Sequence, residues 1–154
     1  MIEKYFDNLR YSISKLDKKI IDKLINSIKL IKKNNGRIFF IGVGGSAGNA
    51  SHAVNDFRKL CNIECYAPTD NVSELTARTN DEGWDTVFEK YLEISNLNNK
   101  DLIFVFSVGG GNLKKKISVN LINAIKFSKK KKSKIISFLG KDDGYAALNS
   151  DVSI

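Results

Sequence analysis

The feature that most restricts the fold is a short apolar run that ends in a glycine-rich loop and continues as a helical pattern. Residues 37–43 include the run Ile38-Phe39-Phe40-Ile41, which predicts a strand buried on both faces, as in a parallel sheet. Further strands are predicted at residues 63–67, 102–108 and 134–139, and a fifth begins at Val152. Because helical patterns separate these strands, we expect a parallel sheet with helices on both faces.

Residues 2–33 predict one long amphipathic helix, because apolar residues recur there at three- and four-residue spacing. Other helices are predicted at about 46–60, 69–78, 84–94 and 113–127, with a short one ending near Asn149. The chain has one proline and no linker-like segment. We therefore expect a single domain over 1–154, with a helical region at 1–35 and an α/β core at 36–154. The first helix is more apolar than one sheet face needs, so we expect a homo-oligomer.

Composition excludes several classes of protein. Of the 154 residues, 42% are hydrophobic, and no apolar run is long enough to cross a membrane. The first residues carry acids and lack the apolar centre of a secretion signal, so we expect a cytoplasmic protein without a membrane partner.

The net charge is +8, but the densest run of lysines, Lys129–Lys132, falls at a predicted helix end. Cations suit that position, which favours a solvated helix end over a nucleic-acid surface. Cys61 and Cys65 are predicted to be reduced thiols.

Two glycine-rich loops follow predicted strands, at residues 42–46 and 107–112. In open α/β sheets the ligand lies beyond the carboxyl ends of the strands. Glycine lets the backbone approach a ligand closely, and a helix start supplies free N–H groups that attract an anion. Each loop is predicted to lead directly into a helix, so together the two loops suit one compact phosphorylated ligand. Tight turns without any ligand are the alternative.

The first loop also fits a loose dinucleotide-binding fingerprint, Gly42-x-Gly44-x-x-Ala47. That function needs an acidic residue near the end of the second strand. Glu64 lies inside the predicted strand and Asp70 lies past it. Neither matches well, so the dinucleotide interpretation is the weaker one.

His52 and Asp56 are four residues apart on a predicted helix and therefore share one face. Imidazole and carboxylate are ligands that zinc accepts. A carboxylate at this place could also carry a proton between adjacent carbons of a sugar. Two alternatives stay open: His52 as a polar residue in a subunit contact, and Asp56 as a solvated acid paired with Arg58.

Taken in order, the motifs resemble those of the phosphoheptose isomerases within the sugar isomerase (SIS) family. The resemblance covers about residues 36–154 and rests on five segments: Gly42 to Ala47, the pair His52 and Asp56, Leu75 to Asp81, Ser107 to Asn112, and Gly140 to Gly144. It implies a flavodoxin-like three-layer α-β-α sandwich with a five-stranded parallel sheet, usually in a tetramer. It also implies an aldose–ketose isomerase that acts on sedoheptulose 7-phosphate.

The resemblance assigns roles to particular residues. His52 and Asp56 take the places of a metal-binding histidine and the catalytic carboxylate, with zinc as the implied cofactor. The residues implied to bind the phosphorylated sugar are Gly44, Gly45, Ser46, Asn80, Asp81, Ser107, Gly109, Gly110 and Asn112.

The sequence departs from the family pattern in four respects. Val43 stands where the family has asparagine, and Asp56 is one methylene shorter than the usual glutamate. The second loop has fewer hydroxyl groups. The sequence ends at Ile154, before a helix in which family members carry a glutamine and a histidine, so we expect that C-terminal helix to be missing. An isomerase, a non-catalytic sugar-phosphate sensor and a protein-interaction module therefore all stay open.

Overall fold

A computed structural model describes residues 1–154 and shows one five-stranded parallel sheet. The strands are β1 (Ile38–Ile41), β2 (Cys65–Tyr66), β3 (Leu102–Ser107), β4 (Lys134–Leu139) and β5 (Val152–Ser153), in the spatial order β2-β1-β3-β4-β5. Phe39 lies opposite Ile103, which lies opposite Ile135. The predicted parallel sheet is confirmed. The edge strand β2 is shorter than the predicted 63–67, with two residues, whereas β5 begins at Val152 as predicted.

Seven helices surround the sheet, and a 3₁₀ turn at Pro68–Asp70 follows β2. The helices are α1 (Ile2–Ser14), α2 (Lys18–Lys33), α3 (Gly45–Cys61), α4 (Val72–Asp81), α5 (Val87–Ile94), α6 (Val119–Lys131) and α7 (Tyr145–Asn149). No helix combines the length and the apolar character needed to span a bilayer.

Alternate residues of each strand face opposite layers, and each face has its own apolar core. On one face, Phe39 and Ile103 join buried residues of α5 and α6, such as Phe88. On the other face, Phe40 joins Ile31 of α2 and residues of α3. The predicted three-layer α-β-α sandwich is therefore confirmed.

The prediction of one helix over residues 2–33 is wrong. The helix is interrupted between α1 and α2 because Asp17 caps the start of a new helix. Its carboxylate accepts the N–H of Lys19 at 2.8 Å. No residue of α1 is buried. Its apolar side chains, among them Phe6 and Leu9, therefore lie on the surface of the chain.

The predicted helix at 113–127 also starts in the wrong place, because α6 begins at Val119. Asn112 and Ile117 instead pair across an antiparallel bridge, with N···O distances of 2.9 and 3.0 Å. The Asn112 side chain accepts the N–H of Lys115 at 2.9 Å, and such local bonds compete with helix formation. The second glycine loop therefore does not open a helix directly.

A buried ion pair fixes the strands at the amino edge of the sheet. Asp101 is 1% exposed and accepts hydrogen bonds from Arg37 N at 3.0 Å, from Arg37 Nη2 at 2.7 Å and from Asn98 N at 3.1 Å. The hydrogen bond to Asp101 raises the pKa of Arg37 above its ordinary value. This pair holds the start of β1 against the start of β3, and so helps to align the loops at their far ends.

Candidate functional site

A cleft of about 230 Å³ lies at the carboxyl edge of the sheet, between the loops that follow β1 and β3. The strand order reverses between these two strands, which is the place where open α/β sheets bind their ligands. The lining residues are Val43, Ser46, Phe106, Ser107, Val108, Gly109, Ser118 and Leu121. The fold thus brings together three of the predicted residues, Ser46, Ser107 and Gly109.

The first loop places the start of α3 at this cleft. Gly44 precedes the helix with a φ of +61°, a conformation that favours glycine. Gly42 is buried, and a β-carbon there would meet the backbone of Ser46 and Ala47. The N–H of Gly44 donates to no other backbone group. Ser46, in the first turn of α3, lines the cleft, so the positive end of the α3 dipole lies beside it.

The second loop supplies a hydroxyl group. The oxygen of Ser107 accepts the N–H of Gly110 at 3.0 Å, so its own proton is free to donate. The carbonyl of Gly110 accepts Ala146 N at 2.8 Å and fastens the loop to α7. Gly110 is buried and its N–H donates to Ser107, while the side chain of Asn112 accepts the N–H of Lys115 in the same loop. Of the four residues predicted here, only Ser107 and Gly109 line the cleft.

Ser118 is a residue of the cleft that the sequence analysis missed. It immediately precedes α6 with a φ of +51°. Serine directly before an apolar helical pattern is a common helix start, and that signal was hidden by the misplaced start of α6. Asn120 follows in the first turn, fully buried, with a side-chain nitrogen that has no hydrogen-bond partner.

His52 and Asp56 form a pair on α3, with 3.2 Å between His52 Nε2 and Asp56 Oδ2. Their side chains are 78% and 44% exposed. Asp56 comes ten residues after Ser46, which places it about 15 Å farther along the helix axis. The alternative pairing of Asp56 with Arg58 is not seen, because Arg58 donates to the carbonyl of Cys65 at 3.2 Å.

The donor set for a metal is incomplete within this chain. His52 and Asp56 supply two donors, whereas catalytic zinc sites use three protein ligands. No group of three or more His, Cys, Asp and Glu side chains forms anywhere in the structure. The residues present therefore do not fit a complete zinc site. Cys61 and Cys65 are free, and burial raises the pKa of Cys65 to about 12.

The remaining predicted residues lie away from the cleft. Asn80 and Asp81 end α4, are exposed and bond to each other at 2.7 Å. The acids considered for a dinucleotide are engaged elsewhere. Glu64 accepts the hydroxyl of Tyr66 at 2.7 Å, and Asp70 accepts the hydroxyl of Ser51. Neither acid lines the cleft.

The fold and the cleft define an open α/β domain with a cleft at the switch point of its parallel sheet. Residues 4–140 match the profile of the family described as SIS domain. The chain belongs to the SIS-domain family.

Known relatives agree with this assignment. The chain is 34% identical over 126 residues to phosphoheptose isomerase of Buchnera aphidicola, a match covering 79% of this chain and 61% of the relative. It is 27% identical over 163 residues to the phosphoheptose isomerase of Syntrophotalea carbinolica, covering 99% of this chain and 79% of the relative. The solved phosphoheptose isomerase of Neisseria gonorrhoeae superposes with a TM-score of 0.86 at 25% identity, covering 99% and 81% of the two chains. The chain thus spans less than two thirds of the length of the Buchnera relative.

Proposed function

We propose that this chain binds a phosphorylated sugar and interconverts its aldose and ketose forms, with sedoheptulose 7-phosphate as the substrate. The observation that carries the proposal is the cleft at the switch point, where Ser46, Ser107 and Ser118 converge. The similarity to phosphoheptose isomerases supports the same substrate class.

The cleft has the chemistry of a phosphate site. Three serines line it, and the start of α3 adds a favourable dipole. No aspartate or glutamate lines it, so no fixed negative charge there repels a phosphate. Hydrogen bonds to an ionised acceptor are roughly twice as strong as neutral ones. We therefore assign the phosphate end of the sugar to this cleft.

Asp56 is the proposed proton carrier at the other end of the sugar. Its carboxylate takes a proton from C1 of the ketose, giving an enediolate; the hydroxyl proton then moves from O1 to O2, and the carboxylate returns its proton to C2, which yields the aldose. His52 holds one carboxylate oxygen at 3.2 Å and so orients it. Asp56 lies about 15 Å along α3 from Ser46, which is longer than an extended seven-carbon sugar phosphate. The proposed role of Asp56 therefore requires a homo-oligomer in which it acts on a sugar held in the cleft of a neighbouring copy.

Other parts of the sequence analysis stay proposals. The exposed apolar side of α1 supports a homo-oligomer, in which a second copy covers Phe6, Leu9 and their neighbours. A cytoplasmic location is proposed from the isomerase role. Asn80 and Asp81 stay predicted substrate contacts, and zinc stays a predicted cofactor.

Isothermal titration tests the proposed function. We expect sedoheptulose 7-phosphate to bind, sedoheptulose to bind more weakly because it lacks the phosphate, and NAD not to bind. The double variant Ser107→Ala/Ser118→Ala should lose sugar-phosphate affinity by about tenfold or more, since hydrogen bonds to charged groups contribute about 1.5–3 kcal/mol each. Ser27→Ala is the control, because its hydroxyl bonds within α2. Equal binding of sugar with and without phosphate would overturn the assignment of the cleft.

A further inference from the structure

The loop between the bridge residues Asn112 and Ile117 carries an unusual concentration of positive charge. We call residues 113–116 the lysine loop, since Lys114, Lys115 and Lys116 follow one another in it. All three are exposed, and none forms a salt bridge. Three adjacent cations repel one another, so this arrangement costs stability unless an anion is nearby.

The lysine loop is held beside the cleft at both of its ends. Gly109, four residues before Leu113, and Ser118, next to the bridge residue Ile117, both line the cleft. The bridge between Asn112 and Ile117 closes the loop at its base. The four residues between the bridged pair can extend about 7 Å beyond it at most. The backbone of the lysine loop therefore stays within about one Debye length, roughly 8 Å at physiological salt, of the base of the loop.

The lysine loop cannot be explained by a favourable interaction with a helix dipole, which explains the lysines at the end of α6. Lys129, Lys130 and Lys131 lie in the last turn of α6, where they oppose the negative end of the helix dipole. Lys129 also donates to Asn149 at 2.6 Å. The lysine loop caps no helix end and has no acidic partner; Asp142 and Asp143 of the turn after β4 form no ion pair with it.

We propose that the lysine loop is a specificity determinant of the cleft, which attracts the phosphate dianion of the substrate and favours phosphorylated over neutral sugars. This inference rests on the proposed function. A cationic loop at the mouth of a site raises the association rate of an anion and makes binding dependent on salt. The hydroxyl groups of the cleft would then hold the phosphate that the loop has attracted.

The test compares two triple variants with the same loss of charge. Lys114→Gln/Lys115→Gln/Lys116→Gln removes the charge of the lysine loop, and Lys130→Gln/Lys131→Gln/Lys132→Gln removes three charges at the opposite edge of the sheet. Titrations use sedoheptulose 7-phosphate, sedoheptulose and inorganic phosphate at low and at physiological salt. Circular dichroism melts verify that both variants are folded.

We expect the loop variant to bind sedoheptulose 7-phosphate and inorganic phosphate about tenfold more weakly at low salt, because exposed ion pairs are individually weak but act together. The difference should shrink as salt rises, and binding of sedoheptulose should not change. The control variant should resemble the wild type. If the loop variant keeps wild-type affinity and salt dependence, or both variants lose affinity equally, the inference is wrong. If the wild type binds no sugar phosphate, the proposed function fails first.

Discussion

Replacing Gly42 by alanine should damage both the fold and the cleft. The added β-carbon would meet the carbonyl oxygen of Ser46 and would lie 2.9 Å from the nitrogen of Ala47. Both are backbone atoms of the first turn of α3, so no rotamer change relieves the contact. Overpacking of this kind costs about 1–3 kcal/mol. Because the first turn must move, Ser46 should also shift away from its place in the cleft.

Gly48 offers a matched control on the same helix. A β-carbon there meets nothing within 4 Å, and alanine is better than glycine inside a helix by about 0.5–1 kcal/mol. Gly48→Ala should therefore be neutral or slightly stabilising.

Urea denaturation measures both variants. We expect the midpoint of Gly42→Ala to fall by about 1 M, taking an m value of about 2 kcal/mol/M, and its affinity for sedoheptulose 7-phosphate to fall with it. The midpoint of Gly48→Ala should not fall. Equal stability of the two variants would refute the packing argument, and unchanged affinity of a destabilised Gly42→Ala would refute the link to the cleft.

Two further substitutions and the behaviour of the Cys65 thiol test other parts of the account. Asp56→Asn should abolish isomerisation while the affinity for the sugar phosphate, measured by titration, stays within about tenfold, because the phosphate end binds elsewhere; unchanged turnover would exclude Asp56 from catalysis. Asp101→Ala should lower the free energy of unfolding by about 3 kcal/mol, since it leaves the Arg37 guanidinium without its partner; a urea midpoint equal to that of the wild type would contradict this. Cys65, whose pKa is raised to about 12, should resist iodoacetamide at pH 8 while Cys61 reacts, as mass spectrometry can show. Because the folded chain keeps the Cys65 proton longer than the unfolded chain does, this thiol should also make stability decline as pH rises from about 9 to about 12, and stability that rises over that range would contradict the sign.

The central strands were predictable because their continuous apolar runs fit only a strand that is covered on both faces. Residues 38–41 and 102–105 are buried on both faces, and only the middle of a parallel sheet accommodates such runs. The position of the cleft followed from the same pattern, since both glycine loops lie at carboxyl ends of strands. The edge strand β2 was less predictable, because pairing on one side only supports a short strand.

The helix boundaries that failed were decided by single side chains. The apolar spacing continues through Leu16 and Ile20, yet the Asp17 cap starts a new helix between them. Leu113 and Ile117 are four residues apart, which imitates a helical face, but the side chain of Asn112 turns the chain back. Ser118 was missed as a direct result. Periodicity reports which residues share a face, and it does not report where a local hydrogen bond interrupts the helix.

The central claim is that this chain isomerises a sugar phosphate through an enediol. Incubating it with sedoheptulose 7-phosphate in D₂O and following the sugar by proton NMR tests this most directly, because an enediol exchanges its carbon-bound proton with solvent. We predict loss of one of the two C1 proton signals of the ketose together with the appearance of an aldose signal, both absent with Asp56→Asn. If the sugar phosphate binds but its spectrum stays unchanged at stoichiometric protein, the chain is a binding protein and not an isomerase.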